Sequence, residues 1–94
     1  MNVCWTPEAE DDRAQIFDYI AAESPRSAIK MDELFSKAAA RLADRTQYGR
    51  TGRIPGTREA VVHKSYCLVY EIEQDTVWVL ALVHIARQWP PVAD

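Results

Sequence analysis

Hydrophobic residues recur at two different spacings along the chain. After a short β-prone start at Met1–Trp5, apolar positions follow one another at intervals of three and four up to about residue 44. Beyond residue 58 the pattern changes to short runs of Val, Leu and Tyr that alternate with polar residues. The first spacing is typical of helices with one buried face and the second of strands. The chain therefore predicts a short strand, a helical part and then a sheet.

Two helices are predicted, each with its own start signal. Thr6-Pro7 and Ser24-Pro25 both place a hydroxyl side chain that can cap a helix before a proline, which needs no hydrogen bond at the first helical position. The first helix should run from about residue 7 to 22 and the second from about residue 25 to 44. Since only two or three residues separate them, we expect an antiparallel helical hairpin.

The C-terminal half predicts an antiparallel meander. The segment 46–57 holds three glycines and a proline and should be a loop. Three strands should follow, with two-residue turns between them, at Arg58–His63, Tyr66–Glu73 and Thr76–His84. The result is an α+β fold of order β-α-α-β-β-β, in which the antiparallel helical hairpin packs on a small, mostly antiparallel sheet of about four strands.

Length and composition suit one globular domain over residues 1–94. Hydrophobic residues make up 48% of the chain and charged residues 27%, a balance typical of folded domains. A chain of this length supports a single core. We expect six apolar side chains to be buried in it: Ile16, Ile20, Leu34, Phe35, Leu68 and Leu82.

Several classes of protein are disfavoured. No apolar run reaches the roughly 18 residues of a membrane span, and the start lacks the basic and apolar segments of a signal peptide. Cys4 and Cys67 have no metal-ligand spacing and should pack as free thiols in a reducing compartment. We expect a soluble, cytoplasmic protein that binds no metal or other cofactor and does not associate with membranes.

Charge is unevenly distributed along the chain. The net charge is −3, and residues 1–44 hold nine acidic against five basic residues. Residues 45–70 hold five basic residues against Glu59 alone, a local balance of +4. Because a ligand meets the local potential, this segment is the better candidate for an anionic partner.

The first candidate site lies in this basic segment. Arg50, Arg53 and Arg58 occur in or beside a glycine-broken loop, and the arginine fork suits phosphate or carboxylate. The same composition also suits a solvated loop with ordinary surface arginines. A phosphate-binding P-loop is excluded, because no Gly-Lys-Ser/Thr follows and the next element is a strand.

The second candidate site closes the last strand. His84 is able to transfer protons near neutral pH, and Arg87 is able to stabilise negative charge. The structural alternative is that His84 hydrogen-bonds the backbone while Arg87 pairs with a carboxylate such as Glu59. We expect Arg50, Arg53, Arg58 and Arg87 to converge on one face, which requires the loop or the C-terminal tail to fold back.

An ordered set of short motifs resembles the RelE/ParE superfamily, also called plasmid stabilisation toxins. The resemblance covers nearly the whole chain. Its pieces are Trp5-Thr6-Pro7-Glu8-Ala9, Asp12, Ile16-x-x-Tyr19-Ile20-Ala21, Ser24-Pro25, Ala39-x-x-Leu42, Gly49-Arg50, Pro55-Gly56-Thr57-Arg58-Glu59, Val69-Tyr70 and His84-x-x-Arg87-x-Trp89-Pro90. It implies the βααβββ toxin fold, growth inhibition, and a cognate antitoxin that forms a hetero-oligomer with the toxin and silences it.

The resemblance implies two mechanisms. ParE-like members poison DNA gyrase and catalyse nothing themselves, which would make Arg50, Arg53, Arg58, Arg87 and Trp89 target-binding residues. RelE-like members are mRNA interferases that cleave mRNA on the ribosome. In that role Arg58 and Arg87 would clamp the phosphate, Glu59 would be the base and His84 the acid.

Three features favour the gyrase reading. The loop lacks the lysine pair of RelE, the end of the chain lacks its tyrosine, and a pI near 5.3 is unusual for a protein that docks on RNA. The ribosome-dependent endoribonuclease stays open, as does a third reading, a remnant that binds antitoxin without being toxic.

Overall fold

The computed structural model describes residues 1–86 and Pro90. Two helices and five strands follow one another as β1 (Asn2–Trp5), α1 (Pro7–Ala21), α2 (Pro25–Asp44), β2 (Arg50–Thr51), β3 (Arg58–His63), β4 (Tyr66–Glu73) and β5 (Thr76–His84). Neither helix is both long and apolar enough to cross a membrane. The α+β class and the β-α-α-β-β-β order are confirmed.

Both helices begin where the caps predict. The hydroxyl of Thr6 accepts a hydrogen bond from the N–H of Ala9, and the hydroxyl of Ser24 accepts one from the N–H of Ser27. These bonds satisfy N–H groups that have no partner inside the first turn. At both positions, the hydroxyl residue followed by a proline therefore predicts the start of the helix correctly.

The sheet has five strands, one more than the sequence predicts. Their order is β1-β5-β4-β3-β2; β1 runs parallel to β5 and the other pairs are antiparallel. The additional strand, β2, lies in the predicted loop, where Arg50 pairs with Glu59 and Thr51 with Arg58. A two-residue strand leaves no alternation to recognise, so sequence pattern could not reveal it.

The two faces of the sheet differ in what packs on them. On one face, Phe35 and Leu42 of α2 and Ala9 of α1 pack with strand residues that include Leu68 and Tyr70. On the other face a smaller cluster of Cys67, Val69 and Ala81 is buried without any contribution from α1 or α2. We call these the helix face and the helix-free face.

The predicted core is largely correct. Phe35, Leu68 and Leu82 are buried, and Ile16 and Ile20 are partly buried against the core. The prediction for Leu34 was wrong, because this side chain is 39% exposed. The buried stripe of α2 passes through Phe35, and a residue one position earlier is rotated by about 100° around the helix.

Candidate functional site

The arginine-containing segment is an ordered hairpin between β2 and β3. Ile54-Pro55-Gly56-Thr57 has the proline and glycine positions of a type II turn, and Gly56 has the required positive φ of 84°. The N–H of Thr57 donates to the carbonyl of Ile54 at 3.1 Å, and the N–H of Gly52 donates to the carbonyl of Thr57 at 2.8 Å. The hairpin therefore holds its arginines on a fixed backbone.

Tyr70 ties the start of this hairpin to the core. Its side chain is fully buried, and its hydroxyl donates to the carbonyl of Thr46 at 2.9 Å while it accepts from the N–H of Gly49 at 2.8 Å. A Cβ atom on residue 49 would lie 2.8 Å from both the hydroxyl and a ring carbon of Tyr70. Only glycine fits this approach without displacing its neighbours.

Glu59 is the buried centre of the site. Its side chain is 1% exposed, and Oε1 lies 3.3 Å from Nη2 of Arg50 and 3.8 Å from Nε of Arg53. Oε2 accepts a hydrogen bond from the backbone N–H of Arg53 at 2.9 Å. The two arginine side chains stay 60% and 48% exposed. One buried carboxylate thus contacts two exposed arginine side chains. We call Arg50 and Arg53 the arginine pair.

Arg58 does not join the arginine pair. Adjacent residues in a strand point to opposite faces. Glu59 is opposite Val69 on the helix-free face, and Arg58 is opposite Tyr70 on the helix face. Nη1 of Arg58 donates to the carbonyl of Gly49 at 2.7 Å, which closes the base of the hairpin. The expected convergence holds for Arg50 and Arg53 and is wrong for Arg58.

His84 lies at a different place in the sheet. It is opposite Tyr66 on the helix face, with the two ring centroids 5.1 Å apart, and its Nδ1 accepts from the N–H of Ala86 at 3.1 Å. Arg58 is opposite Tyr70, which lies four residues along β4 from Tyr66, the residue opposite His84. Arg58 and His84 are in β3 and β5, which pair with opposite edges of β4. The backbones of Arg58 and His84 are therefore about 16 Å apart at ordinary strand spacings.

The candidate catalytic set is accordingly not assembled among the described residues. Glu59 is enclosed by the arginine pair on one face, and His84 is held by backbone and aromatic contacts on the other. Arg87 and Trp89 lie outside the described residues, so their predicted roles stay predictions. Within the part of the chain that the structure describes, no three His, Cys, Asp or Glu side chains are grouped as metal ligands.

One neighbouring contact was missed in the sequence. The guanidinium of Arg41 lies 5.6 Å from the ring centroid of Tyr48, which is 49% exposed beside the hairpin. Arg41 lies before the basic segment of residues 45–70, and the sequence pattern gives Tyr48 no role. The only signal was an arginine in the last turn of a helix followed by an aromatic residue, a combination too common to be specific.

Comparison with known proteins identifies relatives over almost the whole chain. Residues 3–89 match the family described as ParE toxin of type II toxin-antitoxin system, parDE. A Sinorhizobium fredii protein, Y4kP, whose name assigns it provisionally to the toxins, is 35% identical over 92 residues, which cover 97% of this chain and 95% of Y4kP.

Solved structures share the fold at lower identity. The chromosomal ParDE TA system from P. aeruginosa contains a chain that is 20% identical, with a TM-score of 0.79 over 90% of this chain and 96% of that one. The YoeB/ParE toxin from Agrobacterium tumefaciens is 18% identical, with a TM-score of 0.53 over 89% of this chain and 98% of that one. At such identities the likeness shows a common fold.

Proposed function

The chain belongs to the ParE toxin family of type II toxin–antitoxin systems, and from this premise we propose that it inhibits bacterial growth by poisoning DNA gyrase. In this proposal the toxin blocks its target by binding and catalyses no reaction itself. A cognate antitoxin neutralises it in a hetero-oligomeric complex in the cytoplasm.

The separation of the candidate catalytic groups is the observation that carries this proposal. Cleavage of mRNA requires an acid and a base within about 3 Å of atoms at the same phosphate. The proposed acid and base, His84 and Glu59, lie on opposite faces of the sheet, and the backbones of His84 and Arg58 are about 16 Å apart. This arrangement supports a binding role for the basic hairpin over acid–base catalysis.

The charge of the molecule supports the same choice. A protein that docks into ribosomal RNA gains affinity from many phosphate contacts and is usually basic throughout. Here the net charge is −3 and the positive charge is concentrated in residues 45–70. Such a surface suits one localised contact with a target.

The antitoxin has two features to recognise. β1 is an edge strand of the sheet, and edge strands accept an added strand from a partner. The hairpin also presents two exposed arginine side chains, whose positive charge complements acidic side chains. We therefore expect an antitoxin segment over the helical hairpin and sheet edge, with acids facing Arg50, Arg53 or Arg58. Co-expression with the neighbouring gene, followed by size-exclusion chromatography, tests for the complex.

Expression of the toxin without its antitoxin tests the target. An SOS response with trapped gyrase cleavage complexes is the expected result. Cleavage of mRNA within codons on ribosomes would instead establish the RelE-like function, and unimpaired growth with folded toxin would indicate a remnant.

The matched variant for this experiment is His84→Ala. A histidine that transfers a proton typically contributes about 10²- to 10⁴-fold to a rate. The gyrase proposal expects the variant to keep its toxicity as long as circular dichroism shows that it is folded. Loss of toxicity from a folded His84→Ala protein would contradict the proposal.

A further inference from the structure

The arginine pair has the construction of an anion-binding site. Nη2 of Arg50 and Nε of Arg53 lie 3.3 and 3.8 Å from the same Oε1 atom of Glu59. The sum of those distances places the two nitrogens no more than about 7 Å apart. Two like charges at such a spacing repel each other unless a charge of opposite sign lies between them. Glu59 supplies that charge from inside the protein.

Glu59 is buried beneath two arginine side chains that are themselves substantially exposed. The carboxylate is 1% exposed, whereas the two arginine side chains are 60% and 48% exposed. The backbone N–H of Arg53 also donates to Glu59, which fixes the hairpin against β3. A ligand that approaches from solvent therefore meets two positioned cations, and the negative charge that positions them is out of its reach.

The surroundings favour an extended polyanion as the ligand. Glu59 is the only acidic residue between positions 45 and 70. Because it is buried, the exposed charge of this segment is entirely positive. An isolated carboxylate needs a single arginine, but a nucleic acid backbone presents phosphates in series, and the arginine fork matches their oxygens.

We propose that the arginine pair, positioned by Glu59, binds the phosphate backbone of duplex DNA, so that the toxin recognises the DNA held by its target as well as the target protein. This inference rests on the proposed function for the identity of that DNA. Glu59 is a positioning residue in this site and does not contact the phosphates.

Salt dependence of duplex binding provides the test. Each phosphate contact contributes about −0.9 to the slope of log affinity against log salt. Fluorescence anisotropy with a labelled duplex of about 20 base pairs should show a slope smaller by about 2 for the Arg50→Ala/Arg53→Ala variant, with affinity about tenfold weaker at physiological salt. The Arg50→Lys/Arg53→Lys variant should keep the slope, because it keeps both charges.

Arg26→Ala is the matched control for net charge. Arg26 is exposed near the start of α2, about 27 Å along the helix axis from the end that leads to the hairpin. Its loss should leave the slope unchanged. The proposal is overturned if the slope falls equally for Arg26→Ala and for the single variants Arg50→Ala and Arg53→Ala. It is also overturned if the affinity for the duplex does not depend on the arginine pair.

Two further measurements separate this proposal from its alternatives. If the double variant keeps duplex binding but loses binding to a polyglutamate peptide, the surface recognises acidic protein and the DNA proposal is overturned. Gyrase supercoiling is assayed in parallel: inhibition without pair-dependent duplex binding refutes the DNA site alone. Pair-dependent duplex binding without gyrase inhibition supports the DNA site and refutes the proposed target.

Discussion

At the scale of single residues, the surroundings of a side chain decide which of its possible roles it has. Glu59 was a candidate general base in the sequence, because a carboxylate beside arginines is equally compatible with catalysis and with an ion pair. In the structure it accepts the N–H of Arg53 and contacts two guanidinium groups while it is almost inaccessible to solvent. Only the pairing of β2 with β3, which the sequence pattern does not reveal, brings these groups together.

Replacement of Glu59 tests its structural role. Glu59→Ala leaves the partly buried N–H of Arg53 without its Glu59 acceptor, while the half-exposed arginines regain hydration. We expect the free energy of unfolding to fall by about 2 kcal/mol, which corresponds to roughly 10 °C in Tm for a domain of this length. Thermal melts followed by circular dichroism measure the change. A Tm within about 3 °C of the wild type would show that the carboxylate is not an anchor.

The two cysteines should differ in reactivity. Burial, and secondarily the charge of Glu59, raise the pKa of the Cys67 thiol, so less of the reactive thiolate is present near neutral pH. Cys4 is only partly buried. Iodoacetamide at pH 8 should therefore modify Cys4 first, as measured by mass spectrometry of the wild type and of Cys4→Ser. Both thiols should react in urea, and rapid modification of Cys67 in folded Cys4→Ser would contradict its burial.

At the scale of elements, long helices and strands can be predicted from the sequence, whereas a two-residue strand cannot. Both helices and the three long strands were recognised, because each carries several apolar periods or a cap. The short strand β2 was missed, since its pairing depends on the hydrogen bonds of Gly49 and Tyr70 rather than on hydrophobic spacing. The glycines of this segment indicated a loop, and the close contact that requires Gly49 became visible only in three dimensions.

Two glycine variants separate close contact from backbone strain in the hairpin. Gly49→Ala puts a methyl group 2.8 Å from Tyr70 and from the carbonyl of Glu59, so the hairpin must move. We expect a loss of about 3 kcal/mol in unfolding free energy. Gly56→Ala meets no neighbouring atom and carries only the strain of a positive φ, about 1 kcal/mol. Urea titrations measure both values, and equal losses would contradict the contact.

Helix α1 also completes the edge of β5. β1 ends at Trp5, opposite Val79, and beyond that point Oδ2 of Asp12 accepts the N–H of Leu82 at 3.0 Å. Burial, and to a smaller extent repulsion from Asp11, raise the pKa of Asp12 despite this hydrogen bond. The folded protein thus holds the Asp12 proton more tightly than the unfolded chain, so this group's contribution to stability falls as pH rises through the interval just above 3.8.

The direction of this pH dependence leads to different expectations for two variants of Asp12. Asp12→Asn keeps an acceptor for Leu82 without the charge, so it should be at least as stable as the wild type at pH 7. The difference should shrink as the pH falls through the raised pKa of Asp12, because the wild-type carboxyl then gains its proton. Asp12→Ala removes the acceptor and should lose about 1 kcal/mol at pH 7, and more at a pH low enough to protonate the wild-type carboxyl. A marked loss of stability in Asp12→Asn at pH 7 would contradict the raised pKa.

At the scale of the whole molecule, charge is separated along the chain and kept separate by the fold. The acidic excess comes from α1, which holds five acidic residues against Arg13, and the basic excess from residues 45–70, which include β2 at one edge of the sheet. The sequence predicted the asymmetry correctly. It could not predict which arginines meet, because that depends on the alternation of Arg58 and Glu59 between opposite faces of β3.

The whole domain should be stabilised markedly by its antitoxin. A chain of 94 residues has a small core and hence a modest free energy of unfolding. A partner that binds only the folded toxin adds about 2.7 kcal/mol when its concentration is 100 times Kd, equivalent to more than roughly 10 °C in Tm. Differential scanning fluorimetry across an antitoxin titration measures this shift.

Because acidic antitoxin residues are expected at the arginine pair, the shift should be smaller for Arg50→Ala/Arg53→Ala and unchanged for Arg26→Ala. Equal shifts in all three proteins would place the antitoxin elsewhere on the toxin.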